Sequence, residues 1–123
     1  MKRDMDLIRN ILLLAEDAQD TVGIDDLIVL NDNRKTIGFH VELMVAHGLV
    51  SGNVEYSGTG SCVVADVNNL TWDGYDYLDS IRSPKVWKRA KQAISETVGD
   101  TSLSVIKQVC CTITAQLVQA YLG

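Results

Sequence analysis

The chain has 123 residues, a length that suits one small fold rather than several. Apolar residues make up 46% and charged residues 22%, with a single proline and nine glycines, which excludes collagen-like and proline-rich disordered chains. Sixteen acidic and eleven basic side chains leave a net charge of −5, which excludes a strongly basic nucleic-acid coat but not a local basic patch.

Asp4 is placed to cap a helix running to about Gln19. Met5, Ile8, Leu12 and Ala15 form one stripe of it, with Leu7, Ile11, Leu14 and Ala18 beside them. Two adjacent stripes make the broad apolar face of a central helix. Gly23 breaks the pattern. Leu27 to Leu30 is a short apolar run between Asp25-Asp26 and Asn31-Asp32-Asn33, read as a strand, with a helical turn as the alternative. A second helix is expected from about Arg34 to His47, capped by Asp32 or Asn33 and ended by Gly48. Leu49 to Tyr56 and Cys62 to Leu70 read as two strands joined by the turn cluster Ser57 to Ser61, a β-hairpin.

Thr71 then caps a helix with Asp73 in its first turn, and Tyr75, Leu78 and Ile81 are expected to face inward. Ser83-Pro84 opens the next helix. Its apolar side is Val86, Trp87, Ala90, Ala93 and Ile94. Gly99 ends it, and Thr101 or Ser102 starts a last helix reaching nearly to Gly123. The expected fold is mainly α with a β-hairpin, an α+β winged-helix-like domain over residues 1–82. A helical C-terminal extension over 83–123 is expected to pack on it. In the helix-turn-helix only the second helix is plain, so Ile24 to Leu30 must supply or replace the first.

Gly38-Phe39-His40-Val41-Glu42-Leu43-Met44, followed by Gly48-Leu49-Val50, resembles the recognition helix and exit of ArsR-type winged-helix regulators. Leu70-Thr71-Trp72-Asp73-Gly74 is similar to the Leu-Thr-x-x-Gly motif that follows the wing in such regulators. These blocks, with the opening Met1 to Arg9 and Leu78-Asp79-Ser80-Ile81-Arg82, also resemble an uncharacterised family of small bacterial and phage proteins, a domain of unknown function. The resemblance implies a winged-helix-like fold and an association with mobile elements.

The function expected from these readings is a non-enzymatic, DNA-associated regulator of bacterial or phage origin. Arg34, Lys35, Thr36 and His40 would approach the major groove. Arg82, Lys85, Lys88 and Arg89 would hold phosphates, as part of a run that places five of the eleven cations between Arg82 and Lys91. The same run also reads as a solvated helix face or as a site for an acidic partner. The alternative is a winged-helix-derived protein interaction adaptor without DNA binding. It is supported by the acidic balance, by Phe39 and Glu42 on the reading helix, and by the lack of any Lys or Arg between Lys35 and Arg82.

No nucleophile elbow, P-loop or dinucleotide fingerprint is present, so no catalytic residue, cofactor or metal is expected. His40 and His47 are seven apart, and zinc sites favour closer spacings with further ligands. Cys62, Cys110 and Cys111 form no C-x-x-C pair, which fits a reducing compartment. With acids at positions 4 and 6 and no long apolar run, a cytoplasmic protein without a membrane partner is expected.

The last helix carries one charge, Lys107. Leu103, Ile106, Cys110, Ile113, Leu117 and Ala120 repeat at spacings of 3 and 4, a heptad-like seam. Two coverings are open for this seam. It pairs with a second copy or another protein, the homodimer being the expected form, or it packs across the first helix and the Trp87 helix.

Overall fold

The computed structural model describes all residues, Met1 to Gly123. Six helices and one hairpin follow in the order α1 (Met5–Asp17), α2 (Ile24–Leu27), α3 (Arg34–His47), β1 (Val50–Tyr56), β2 (Cys62–Leu70), α4 (Trp72–Ile81), α5 (Pro84–Thr97) and α6 (Leu103–Leu122). The chain forms two compact units, Met1–Asp76 and Tyr77–Gly123, with the division inside α4. The α+β, winged-helix-like fold read from the sequence is the one observed. No helix is long and apolar enough to cross a membrane.

In the first unit the caps set the helix starts. Asp4 Oδ1 accepts from the Leu7 N–H at 3.1 Å and opens α1, which buries Leu7, Ile8, Ile11 and Leu12. Asn33 Oδ1 accepts from the N–H groups of Lys35 and Thr36 at 3.0 and 3.1 Å and opens α3. Ile37, Val41 and Met44 then lie fully inside. Gly48 closes α3 with φ of +83°, a left-handed conformation that glycine adopts without strain.

The reading of Leu27 to Leu30 as a strand is corrected by the structure. Ile24–Leu27 is a single helical turn, and Ile28 to Leu30 form a turn after it. The Asp26 carboxylate accepts from the Gly23 N–H at 3.1 Å, and Ile24 and Leu27, three apart, are both buried. That capping and burial favour a helical turn over an extended run that would have no partner strand. The first helix of the helix-turn-helix is therefore α2. The strand-like pairing lies just before it, where Val22 exchanges two backbone bonds of 2.9 and 2.8 Å with Val67.

The hairpin is antiparallel, from Val50 opposite Leu70 to Tyr56 opposite Cys62. Helix α3 packs on both strands, α1 on β2, and α2 on α3 and β2. The hairpin leads straight into α4 through Thr71, whose N–H donates to the Leu49 carbonyl at 3.0 Å. The Thr71 hydroxyl donates to the Gly48 carbonyl and accepts from the Gly74 N–H at 3.0 Å. Gly74 is needed there because a Cβ would stand 1.9 Å from the Leu49 carbonyl oxygen. The start of α4 is thus clamped to the α3–β1 junction.

In the second unit Ser83 caps α5 by accepting from the Val86 N–H at 3.3 Å, with Pro84 at the first helical position. Helix α5 buries Val86, Trp87 and Ala90. Ser102 caps α6, which packs against α5 and buries Ile106, Cys110 and Ile113.

Candidate nucleic-acid interface

Helix α3 is the element a winged helix would offer to a groove. Its buried positions, Ile37, His40, Val41 and Met44, hold it against the strands and α1. Its outward face begins with Arg34 and Lys35, both exposed, and continues through half-buried Phe39 to exposed Glu42 and Ala46. Thr36 is half-buried at one flank. The Arg34 side chain is 47% exposed. Its Nε donates to the Cys62 carbonyl at 3.3 Å, and its guanidinium lies 4.0 Å from the Asp25 carboxylate. An exposed pair at that distance is weak and leaves Arg34 able to exchange partners.

The structure corrects the expectation for His40. It is fully buried. Its Nδ1 lies 2.7 Å from the Thr36 carbonyl, and the backbone N–H of Asp4 donates to its Nε2 at 2.8 Å. A carbonyl can only accept, so Nδ1 carries the proton and Nε2 accepts, as a neutral imidazole does. No nitrogen is left for a base edge. The ring joins α3 to the segment before α1, across 36 positions of sequence. Phe39 meets this ring in a T-shaped arrangement, with 5.3 Å between centroids. Lys2 and Arg3, exposed and immediately before Asp4, are therefore tethered beside α3. The sequence displays both cations, but nothing local in it signals that tether.

The wing side of α3 is polar and acidic. The Tyr56 hydroxyl donates to Glu42 Oε2 at 3.1 Å, latching the end of β1 to the outward face. Burial raises the Tyr56 phenol above its ordinary value, and the bond to Glu42 and its charge push the same way. Burial also raises the Cys62 thiol, against the lowering influence of Arg34. The tip from Ser57 to Ser61 closes on its own bonds, with the Ser57 N–H donating to Ser61 O at 2.8 Å, and carries no cation.

On the second unit, Lys85, Lys88 and Arg89 are exposed on α5, opposite its buried Val86, Trp87 and Ala90. Arg82 donates to the Asp79 carboxylate at 2.9 Å. Lys91 lies over the Trp87 ring at 5.9 Å from its centroid, a cation–π distance. The formal charge divides with the units. Residues 1–76 hold 13 acidic and 5 basic side chains, a net of −8, and residues 77–123 hold 3 acidic and 6 basic, a net of +3.

The seam of α6 divides as well. Ile106, Cys110 and Ile113 are buried, Leu103 and Leu117 are half-buried, and Ala120 is exposed. Past Ile113 the helix leaves Val118, Tyr121 and Leu122 open, with Tyr121 90% exposed.

A family model described as "Hypothetical protein (DUF2513)" matches residues 2–101, a span that stops just before α6. A Haemophilus influenzae protein described only as an uncharacterized protein is 36% identical over 119 residues, which is 95% of this chain and 98% of that protein. No solved structure matches.

Proposed function

We propose that this chain, which belongs to the DUF2513 family of hypothetical proteins, is a non-enzymatic winged-helix protein that associates with DNA as a regulator. The observation that carries the reading is the helix-turn-helix-like pair made by the single turn of α2 and the helix α3. Helix α2 supplies its first helix, and α3 presents exposed Arg34 and Lys35 in its first turn, with half-buried Thr36 at one flank. The first turns of such a helix enter the major groove. Lys85, Lys88 and Arg89 on α5 are the exposed cations available for phosphates, with Arg82 already bonded to Asp79. The likeness of α3 and its exit to ArsR-type regulators points the same way.

The protein acts as a homodimer through the half of α6 that its own fold leaves open, around Leu117, Val118, Tyr121 and Leu122. A dimer reading a two-fold site would meet half-sites about 34 Å apart, or a multiple of it, along the duplex. Light scattering tests this: wild type has twice the chain mass, and Leu122→Asp has one.

Fluorescence anisotropy with labelled duplex at low and raised salt tests DNA association. The expected result is binding that weakens steeply with salt and is reduced by Lys35→Ala. Unchanged anisotropy at low salt, with random and upstream native DNA alike, would remove DNA. The second reading is an adaptor for a protein partner. It is favoured by the net charge of −8 on the winged-helix unit and by Glu42 on its outward face. A partner recovered with wild type but not with Glu42→Lys, in the absence of DNA binding, would establish it.

A further inference from the structure

We infer that Lys2 and Arg3 form a second DNA contact, a cationic arm that His40 anchors beside the reading helix. The inference rests on the DNA reading above and adds to it a site and a positioning residue.

The anchor is the bond from the Asp4 N–H to His40 Nε2, 2.8 Å long and made to a fully buried ring. The ring is itself fixed by the Thr36 carbonyl at 2.7 Å, so Nε2 is held as an acceptor in one place. The Asp4 carboxylate is turned to α1, where it accepts from the Leu7 N–H. Backbone and side chain of Asp4 are therefore both committed, and the residues before it leave from a fixed point. At about 3.5 Å per residue, Lys2 lies within about 7 Å of that point. His40 lies five positions after Lys35, about 7.5 Å along the helix axis. Lys2 and Arg3 are thus held near the middle of α3, Arg34 and Lys35 stand in its first turn, and all four are exposed. They are four of the five basic residues in a unit of net charge −8, the other being Arg9.

A flexible arm would lose conformational entropy on binding DNA, and a tethered one loses less. Short basic segments beside a reading helix reach phosphates or the minor groove alongside it. His40 does not touch DNA in this scheme. It acts through Asp4, as a positioning residue.

The test is the salt dependence of duplex binding. Removing one cation that neutralises a phosphate makes the slope of log K against log salt shallower by about 0.9. Lys2→Ala/Arg3→Ala alters only exposed side chains and is expected to lower the slope magnitude by about 1.8 while unfolding stays at the wild-type midpoint. His40→Leu removes the acceptor and is expected to give a similarly shallower slope, with little further change when combined with the arm variant. His40→Gln keeps an acceptor near the Nε2 position and is expected to restore much of the slope. Wild-type binding with an unchanged slope in Lys2→Ala/Arg3→Ala would overturn the arm and leave the DNA reading standing. Additive effects of the arm variant and His40→Leu would overturn the anchoring. No binding by wild type would remove the DNA reading and the arm with it.

Discussion

Gly74→Ala tests the packing argument where two effects oppose each other. Gly74 lies inside α4, and alanine in a helix interior is ordinarily better than glycine by about 1 kcal/mol. The added Cβ would stand 1.9 Å from the Leu49 carbonyl oxygen and 2.9 Å from its carbon. An ordinary carbon–oxygen approach is about 3.3 Å, so α4 and the α3–β1 junction must part by more than about 1 Å. Both near atoms are backbone, and no rotamer change relieves the clash. Overpacking of this kind costs about 1–3 kcal/mol. The separation also strains the Thr71 N–H bond to Leu49 and the Thr71 hydroxyl bond to Gly48, each worth about 1 kcal/mol. Set against the propensity gain, the net destabilisation is about 2–4 kcal/mol. Urea unfolding followed by circular dichroism measures it, with a melting point lowered by roughly 10 °C as the thermal counterpart. Gly58→Ala is the control, since nothing lies within 4 Å of a Cβ there. A Gly74→Ala protein as stable as wild type, or more so, would refute the clamp between α4 and the α3–β1 junction.

Asn33→Ala removes the acceptor for two N–H groups at the start of α3 and is expected to cost about 1 kcal/mol by the same urea measurement. Alkaline pH is expected to destabilise the hairpin. Tyr56 and Cys62 both hold their protons more tightly when folded, chiefly through burial, so the unfolded chain ionises first. Their stabilisation is full below the ordinary phenol and thiol values and disappears as pH rises through the raised ones. The urea midpoint should fall over that range, and Cys62→Ala should flatten part of the fall. A midpoint that rises there would contradict the assignment. Among the thiols, Cys111 is exposed while Cys62 and Cys110 are buried, so a single fast alkylation at Cys111 is expected in native protein.

Most elements were legible because their signals are local. Asn33 before α3, Gly48 after it, Thr71 before α4 and Ser83-Pro84 before α5 are each read within a few residues, and each acts at that boundary. Helix α2 was not, since a single turn shows no helical period. Leu27 to Leu30 reads as a short strand until the Asp26 cap and the joint burial of Ile24 and Leu27 are known. His40 shows the same limit at the candidate site. A histidine on a reading helix looks like a base contact, and only the approach of Asp4 makes it a buried acceptor. On α6 the period exposes an apolar seam, but period alone does not tell that Ile106, Cys110 and Ile113 are covered within the fold while Tyr121 and Leu122 stay open.

The two functional readings part at a single carboxylate. Glu42 stands exposed on the outward face of α3, and Tyr56 holds it there with a bond of 3.1 Å. A duplex lying along α3 brings phosphates within a Debye length of that charge, about 10 Å at ordinary salt, where repulsion is felt. Glu42→Gln removes the charge and keeps an oxygen for the Tyr56 hydroxyl, so the latch survives. If α3 meets DNA, this variant should bind duplex several-fold more tightly at low salt, with the gain shrinking as salt rises, an effect of about 1 kcal/mol for one near charge. If the same face meets a basic protein surface, the change has the opposite sign, because an attractive pair is removed. A duplex affinity identical in wild type and Glu42→Gln at low salt would place α3 away from the phosphates. The helix-turn-helix would then be a scaffold, and the binding surface would have to be sought on the exposed cations of α5.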